Sequence, residues 1–391
     1  MMINKFVIRK TKTEYLTFMA ILLLILTSCA PAPPEPTPIT PSPSPIPPTE
    51  TKIPPTATLE PTATATLKPT EVVIPGPSPR YNVSFAYDSE SNQIILFGGA
   101  IDYYGPIILD TWAYDVAANH WKEMKPKFVP KGIGFLAYDS ESDRVIMFSL
   151  FSGDYEKLGV TNQTWAYDYN TDTWTRMSDH PLRLIGGPIA YDAESDRIIL
   201  FGGYNTIKES QTTVTWAFDY NTDTWTEMKP PVSPPGRDSH LMTYDVKADR
   251  ILIFGGDYLP GNQVDESLWS YDFNTNRWEE LKPDEESHPL SRLYSTLAYD
   301  SESDRTILFG GWQMGKDYGT WSYDYNTNTW LDMKPAEVPG RVTNHYMAYI
   351  PSIDRVFLFG GDLCDKSCNL SNEIWLYDLN SNTWENLMPL P

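Results

Sequence analysis

Six basic residues recur at one position of an internal repeat. Each lies seven or eight residues before a tyrosine that itself recurs every 50 to 55 residues. The six are Arg80, Lys131, Arg183, Arg237, Arg292 and Arg341. Arginine can bind a carboxylate through two parallel hydrogen bonds, so a ring of such residues would recognise an anionic ligand. The alternative is structural, because the same side chains could instead bond turn backbones or neighbouring repeats.

The repeat that must position these residues also contains two tryptophans nine residues apart. Six such pairs account for all but one of the tryptophans, and Trp312 is the exception. The pairs are Trp112/Trp121, Trp165/Trp174, Trp216/Trp225, Trp269/Trp278, Trp321/Trp330 and Trp375/Trp384. A repeat of this length predicts a propeller or a solenoid. We expect the paired tryptophans to fill the interfaces between repeats, because a large aromatic buries roughly 150–250 Å².

Each repeat predicts four short strands, most clearly in the third copy. The apolar run 198–201 is typical of a strand buried on both faces, and 215–219 alternates as a strand on a packed surface does. The Asp-rich stretches 192–196 and 219–223 are typical of hairpin turns. No part of the repeats has helical periodicity. Six four-stranded units without helices predict an all-β closed ring, since isolated sheets would leave their edges exposed.

A double glycine ends the second strand of five repeats, where a turn needs positive φ or close backbone approach. The pairs are Gly98-Gly99, Gly202-Gly203, Gly255-Gly256, Gly310-Gly311 and Gly360-Gly361. With the Tyr-Asp and Trp positions that follow, they resemble the kelch-repeat family over about residues 80–391. The resemblance implies a six-bladed kelch-type β-propeller with four antiparallel strands per blade. Two repeats depart from the pattern: the second has Ser149-Leu150 in place of the glycines, and the sixth has Tyr349-Ile350-Pro351 where Tyr-Asp is expected.

The ends of the array predict that each blade is one contiguous repeat. We therefore expect no strand from residues 71–79 in the last blade, unlike many kelch propellers. The resemblance also implies that the loops after the double glycines share one face, often the binding face. Aromatic residues in these loops are candidates for ligand contact. They are Tyr103, Tyr104, Tyr155, Tyr258 and Trp312.

Residues 1–28 read as a signal peptide. A basic start is followed by an apolar run, Leu16–Leu26, which is too short for a typical transmembrane helix. The run ends in Leu26-Thr27-Ser28-Cys29, which resembles the bacterial lipoprotein box. That resemblance implies cleavage before Cys29 and lipidation of its thiol, with attachment to a membrane of the bacterial cell envelope on the extracytoplasmic side. An ordinary secretory signal with a chance cysteine is the alternative.

Residues 29–79 are dominated by Pro, Thr, Ser and Ala. Such a segment cannot bury enough apolar surface to fold, so we expect a disordered stalk. At about 3.1 Å per residue in the polyproline conformation, fifty residues would reach roughly 150 Å. The remaining cysteines, Cys364 and Cys368, lie four apart in the sixth repeat. In an oxidising compartment we expect a disulfide between them, with a zinc pair as the alternative.

Charge narrows the classes of partner. The chain carries −21, and removal of four basic residues and Glu14 with residues 1–28 brings it to −24 (−21 − 4 + 1). This large net negative charge disfavours a nucleic acid as the partner. No metal site, cofactor motif or catalytic constellation stands out. The sequence predicts a monomeric, lipid-anchored binding module for a protein or glycan ligand, and the functional interpretation of the six basic residues makes that ligand anionic. The rival is an exported carbohydrate-active enzyme resembling the sialic acid mutarotases, and a purely structural envelope protein is a third reading.

Overall fold

The structure is a computed structural model, and its described residues are 76–101, 107–149, 162–258, 263–284, 287–290, 292–311, 319–363 and 369–387. All of them belong to one compact unit, Val73–Pro391. The signal peptide, Cys29 and residues 30–75 lie outside the described residues, as do Tyr103, Tyr104, Tyr155, Trp312, Cys364 and Cys368. Within the described ranges there is no helix long and apolar enough to cross a bilayer.

The described residues form six four-stranded sheets, here called blades 1 to 6 in chain order. Blades 1 to 3 comprise Ser84–Asp88, Gln93–Ala100, Ile107–Asp115 and His120–Met124; Gly134–Asp139, Arg144–Ser149, Thr164–Asp168 and Thr173–Arg176; and Ile189–Asp192, Arg197–Phe201, Thr215–Asp219 and Thr224–Glu227. Blades 4 to 6 comprise Leu241–Asp245, Arg250–Phe254, Leu268–Asp272 and Arg277–Leu281; Thr296–Asp300, Arg305–Phe309, Trp321–Asp324 and Thr329–Asp332; and Tyr346–Ile350, Arg355–Phe359, Ile374–Asp378 and Thr383–Asn386.

Every blade consists of four consecutive antiparallel strands, so each is one contiguous segment of the chain. The first strands of neighbouring blades lie beside one another in chain order, and the first strand of blade 6 lies beside that of blade 1. The blades thus form a closed ring whose centre is lined by the first strands. Residues 76–80 belong to no strand of blade 6. The all-β propeller of four-stranded antiparallel sheets is confirmed.

The antiparallel order gives the ring two different faces. Strands one and three of each blade run towards hairpin turns that follow an aspartate, and we call that side the aspartate face. Strands two and four run back to the loops after the double glycines and to the linkers between blades, which form the double-glycine face. Short two-residue strands add small sheets on this face: Leu184–Ile185, Tyr204–Asn205 and Ser210–Gln211; Asp257–Tyr258 and Gln263–Val264; Val342–Thr343, Asp362–Leu363 and Asn369–Leu370.

The core is divided among six interfaces between neighbouring blades, each an apolar cluster drawn from two sheets. The second tryptophan of each pair lies in one of them. Trp278, for example, is 5 % exposed and its ring centroid lies 4.7 Å from that of Phe201 in the preceding blade. The predicted packing role of the paired tryptophans is confirmed, although Trp225 and the first tryptophans Trp112, Trp165 and Trp375 are only half-buried.

The hairpin turns on the aspartate face are built by their own side chains. Asp300 is 2 % exposed, and its Oδ1 accepts hydrogen bonds from the backbone N–H groups of Glu302 and Ser303 at 3.0 Å. In blade 6 the fully buried Ile350 takes that position, and the turn closes instead through its backbone carbonyl, which accepts from the N–H of Ile353 at 3.3 Å. The turn of blade 6 is therefore altered at the place where its sequence departs from the repeat.

The double glycines show both the positive φ and the close backbone approach that the sequence predicts for them. Gly202 has φ +67°, and a Cβ there would lie 2.5 Å from the carbonyl oxygen of Arg237. In blade 2, where Ser149 replaces the first glycine, the serine stays in the strand and pairs with Gly134. The loss of the glycine therefore changes the strand end without breaking the sheet.

Candidate functional site

Arg237 lies fully buried at the start of blade 4. Its guanidinium donates to the carbonyl oxygen of Gly255 at 3.0 Å, to Asp265 at 2.8 Å and to Ser267 at 3.0 Å. Its Nε donates to the carbonyl oxygen of Pro235 at 3.2 Å. These bonds occupy the side chain within its own blade, so the guanidinium is not presented to solvent.

Arg80 and Arg292 repeat this arrangement in blades 1 and 5. Arg80 donates to the carbonyl oxygen of Gly98 at 3.0 Å and forms a bidentate pair with Asp110 at 2.6 and 3.0 Å. Arg292 donates to the carbonyl oxygen of Gly310 at 3.1 Å. All three arginines are at most 1 % exposed. The geometry fits the structural alternative for these three residues, in which arginine fastens the double glycine of its blade.

The backbone carbonyl of the residue at the position of Arg237 and Arg80 bonds the neighbouring blade. The carbonyl oxygen of Arg237 accepts from the N–H of Gly203 in blade 3 at 2.8 Å, and that of Arg80 accepts from Gly361 in blade 6 at 2.9 Å. In blade 6 the carbonyl oxygen of Val342 accepts in the same way from the N–H of Gly311 in blade 5 at 2.9 Å. At these three positions the backbone carbonyl therefore joins the blade to the double glycine of the preceding blade, a contact that we call the clasp.

The other three basic residues lie elsewhere. Lys131 and Arg183 are exposed and Arg341 is half-buried. In blades 3 and 6 the buried position is taken by Leu184 and Val342, because one extra residue separates the basic side chain from the tyrosine. The expected single cationic ring is thus wrong as a geometry: three members are buried and bonded, and three are displaced outward. Ligand binding by Lys131, Arg183 and Arg341 stays a prediction.

Three histidines lie between blades rather than in a reactive setting. His240 and His345 contact Phe201 and Phe309 of the preceding blade, with ring centroids 5.6 and 5.9 Å apart. His180 lies 4.8 Å from the rings of both Trp216 and Trp225. Burial lowers the pKa of His180 to about 4 and that of His345 to about 3, and lowers that of His240 well below its usual value. These imidazoles are neutral packing groups at physiological pH.

An enzyme of the mutarotase type would be favoured by a glutamate or histidine bonded to the arginines at the axis. The acidic partners of the buried guanidinium groups are instead Asp110 and Asp265, which hold them in place. Among the described residues, the contacts of Arg80 and Arg237 therefore lend no support to that rival. The aromatic loop candidates lie outside the described residues, apart from the backbone of Tyr258, which forms a short strand with Asp257.

A polar cluster that the sequence analysis missed lies at the double-glycine end of the first strands. Asp238 and Asp257 are paired by two backbone hydrogen bonds of 3.1 and 2.9 Å. The carboxylate of Asp238 accepts from Gln211 at 3.0 Å and from Ser239 at 2.8 Å. Tyr294 of blade 5 is near enough for both carboxylates to act on its hydroxyl. The cluster gathers blades 3, 4 and 5, so only the folded ring reveals it.

Electrostatics in this cluster follow from burial. Burial raises the pKa of Asp238 to about 6, and nearby Asp257 adds to the rise, while the hydrogen bonds from Ser239 and Gln211 oppose it. Burial also raises the pKa of Asp257. The pKa of Tyr294 rises to about 12, first through burial and then through Asp238 and Asp257. These shifts mark a half-desolvated site in which negative charge is poorly compensated.

The backbone around the cluster is held in an uncommon conformation. Tyr294 has φ +59°, in the left-handed region that bulky residues rarely adopt. Its carbonyl oxygen accepts from the N–H of Asn344 at 2.8 Å, and the carbonyl of Asn344 accepts from the N–H of Asn82 at 3.2 Å. These bonds tie blades 5, 6 and 1 together around the centre and hold the backbone at Tyr294 in place.

Comparison with known proteins agrees with this architecture. A family model described as the KLHDC2/KLHL20/DRC7 Kelch-repeats domain matches residues 189–389, more than half of the 391-residue chain. A second, described as the Attractin/LZTR1 beta-propeller, matches residues 61–234. Together the two matches reach from residue 61, within the predicted stalk, to the last blade.

Individual relatives are distant. Kelch domain-containing protein 10 of Rattus norvegicus is 25% identical over 336 residues, which cover 81% of this chain and 75% of that protein. Kelch domain-containing protein 3 of Homo sapiens is 26% identical over 269 residues, covering 63% of this chain and 65% of its own length. The chain thus spans just under two thirds of the human protein. With more than half of its length matched by one kelch-repeat model, the chain belongs to the kelch-repeat family.

Proposed function

We propose that this chain is a lipid-anchored, extracytoplasmic binding module that recognises a protein ligand with the double-glycine face of its propeller. The kelch propeller is a typical protein-interaction module. The lipid anchor rests on the sequence around Cys29, and the stalk of residues 29–79 would hold the propeller away from the membrane. A glycan ligand is the other outcome that the test below distinguishes.

The observation that carries the choice of face is the distribution of exposed apolar side chains. Six of the nine large ones among the described residues lie in loops or linkers of the double-glycine face. They are Ile101, Phe128, Ile207, Val232, Leu290 and Val338. Phe128 and Ile207 are 67 % and 69 % exposed. Apolar side chains on one face, surrounded by polar residues, are a common mark of a protein–protein interface.

The aspartate face is less suited to recognition because its charged groups bond one another. Arg250 pairs with Asp272 at 3.0 Å, and the equivalent arginines of blades 2, 3, 5 and 6 pair in the same way at 2.8 to 3.1 Å. The buried aspartates beside them hold the turn backbones, as Asp300 does. A ligand on this face would compete with bonds that maintain the blades.

The face is tested by presenting the full chain to a peptide array and a glycan array. A Phe128→Ser/Val232→Ser variant should lose binding to the peptides that the unchanged chain retains. A matched Val246→Ser/Ile353→Ser variant alters two exposed apolar residues of the aspartate face and should bind as before. Equal loss in both variants, or retention on the glycan array alone, would contradict the proposal.

The anchor has a separate test. Expressed in a bacterial host with a labelled fatty acid, the chain should carry the label and sediment with membranes, whereas Cys29→Ser should do neither. A Cys364→Ser variant controls for loss of a cysteine elsewhere. If the Cys29→Ser variant still carried the label and sedimented with membranes, the proposed lipid anchor at Cys29 would be refuted. The proposed binding face would not be affected by that result.

A further inference from the structure

The carboxylate pair at the centre of the double-glycine face has an unmet hydrogen-bonding requirement. Oδ1 of Asp257 is closed off from solvent and has no hydrogen-bond partner among the described residues. A buried acceptor of this kind costs roughly 1–3 kcal/mol, more when it is charged. This oxygen would be stabilised by a hydrogen-bond donor that lies outside the described part of the chain.

The donors already present go to the other carboxylate. Gln211 and Ser239 both donate to Asp238, one to each carboxylate oxygen. Their bonds fix Asp238 beside Asp257, because the two residues are also held by the reciprocal backbone bonds between them. The pair is therefore preorganised, and only one of its members is satisfied.

A neutralising cation is also lacking in the described surroundings of the pair. The nearest arginine in sequence, Arg237, directs its guanidinium to Gly255, Asp265 and Ser267. The groups that act on Asp238 are Ser239, Asp257 and Gln211, none of them positively charged. Two carboxylates in one partly desolvated place favour a cation over any neutral or anionic group.

Tyr294 gives the pair an aromatic neighbour from the next blade. Its hydroxyl takes part in no hydrogen bond among the described residues and is under the influence of both carboxylates. A tyrosine ring beside carboxylates is suited to a cation with an aliphatic stem, since the ring contacts the stem and can face the charge. The left-handed φ and the backbone bond to Asn344 hold this residue in place.

We propose that Asp238, Asp257 and Tyr294 form a site for the ammonium or guanidinium group of a lysine or arginine side chain on the protein ligand. The inference rests on the proposed function and names the part of the ligand recognised at the centre of the face. It reverses the ligand charge suggested by the sequence, because Arg80, Arg237 and Arg292 are buried and bonded within their blades, whereas Asp238 and Asp257 are half-buried.

The test uses the full chain and libraries of blocked heptapeptides that differ only in a central Lys, Arg, Gln or Glu. The Lys or Arg library should be retained at least about tenfold more strongly than the Gln library, the size expected for one charge-assisted contact. Asp238→Asn and Asp257→Asn should each abolish that preference. Tyr294→Phe removes only the hydroxyl and should weaken retention roughly two- to fivefold.

Glu337→Gln is the matched control, because Glu337 is an exposed carboxylate on a linker of the same face. It should leave the preference intact. An equal loss in Glu337→Gln would show a general charge effect and overturn the site. Retention of peptides without preference for a basic residue would overturn the site but leave the protein-binding function. No retention of any library would overturn both. Thermal melting of each variant separates loss of the site from loss of the fold.

Discussion

The indole Nε1 of Trp278 donates a hydrogen bond to the hydroxyl of Thr215 at 2.9 Å, across the interface between blades 4 and 3. The same bond joins three other pairs of neighbouring blades at 2.9 to 3.0 Å: Trp174 to Thr111, Trp225 to Thr164 and Trp384 to Thr320. In these four blades the outer tryptophan thus contributes both apolar area and a directed bond to the preceding blade, whereas the indole N–H groups of Trp121 and Trp330 have no partner among the described residues.

We expect Trp278→Ala and Trp225→Ala to lower the free energy of unfolding by about 3–5 kcal/mol each, through lost burial and the cavity left behind. Thr215→Val removes only the acceptor and should cost about 1 kcal/mol. Urea unfolding followed by circular dichroism gives all three values. An unchanged midpoint for either alanine variant would refute the packing role.

The buried arginines predict a contrast with the exposed basic residues. Arg237→Ala should destabilise the chain by about 3–5 kcal/mol, because it removes the buried guanidinium that bonds the Asp265 carboxylate and the Gly255 carbonyl. Lys131→Ala, at an exposed position, should change stability by less than about 0.5 kcal/mol. The two variants are compared by urea unfolding, and similar losses in both would contradict the assignment.

A methyl group at the clasp between blades should be poorly tolerated. Gly202→Ala places a Cβ 2.5 Å from the Arg237 carbonyl oxygen at φ +67°, so we expect a loss of at least about 2 kcal/mol. Gly187→Ala is the control, since its Cβ would lie 3.3 Å from its nearest neighbour without a positive φ. Melting temperatures should fall clearly for the first variant and much less for the second.

Stability should decline in mild acid. His180, His240 and His345 have folded pKa values lowered below the unfolded value of about 6.5, so the unfolded chain binds protons first as the pH falls. Each histidine removes up to about 1.4 kcal/mol per pH unit between pH 6.5 and its folded pKa. Asp238 acts in the opposite sense below pH 6, because its folded pKa is raised.

The measurement is the free energy of unfolding between pH 7.5 and 4.5, for the unchanged chain and for His345→Gln. The variant should show a shallower decline by about one proton, whatever its absolute stability. Parallel curves would mean that His345 is not held neutral by the fold.

Much of this fold is readable from the sequence because its signals are local and repeated. Each signal depends on only a few adjacent residues, as in the apolar run 198–201, the Asp-rich turns and the glycine pairs. A strand or turn assignment that is ambiguous in one repeat becomes clear when the repeats are compared in register. The positions of Trp278 and Gly202 followed from that register.

The candidate site was far less readable, for a physical reason. In blades 3 and 6 a one-residue difference in spacing moves Arg183 and Arg341 away from the place that Leu184 and Val342 occupy, whereas Lys131 is exposed although its spacing equals that of the buried arginines. Asp238 and Tyr294 come from different repeats and carry no motif. Their proximity is produced by the closing of the ring, so pattern within a repeat could not reveal it.

Because each blade is one unbroken segment, none of the described strands interlocks the first and last blades of the ring. A chain opened at any linker and rejoined at its old ends would keep every sheet whole. New chain termini in another linker would leave the double-glycine clasps intact. The direction from which a tether reaches the propeller could therefore be changed without redesigning a blade. The order of the repeats, by contrast, cannot be shuffled freely, since the central carboxylates need blades 3, 4 and 5 side by side.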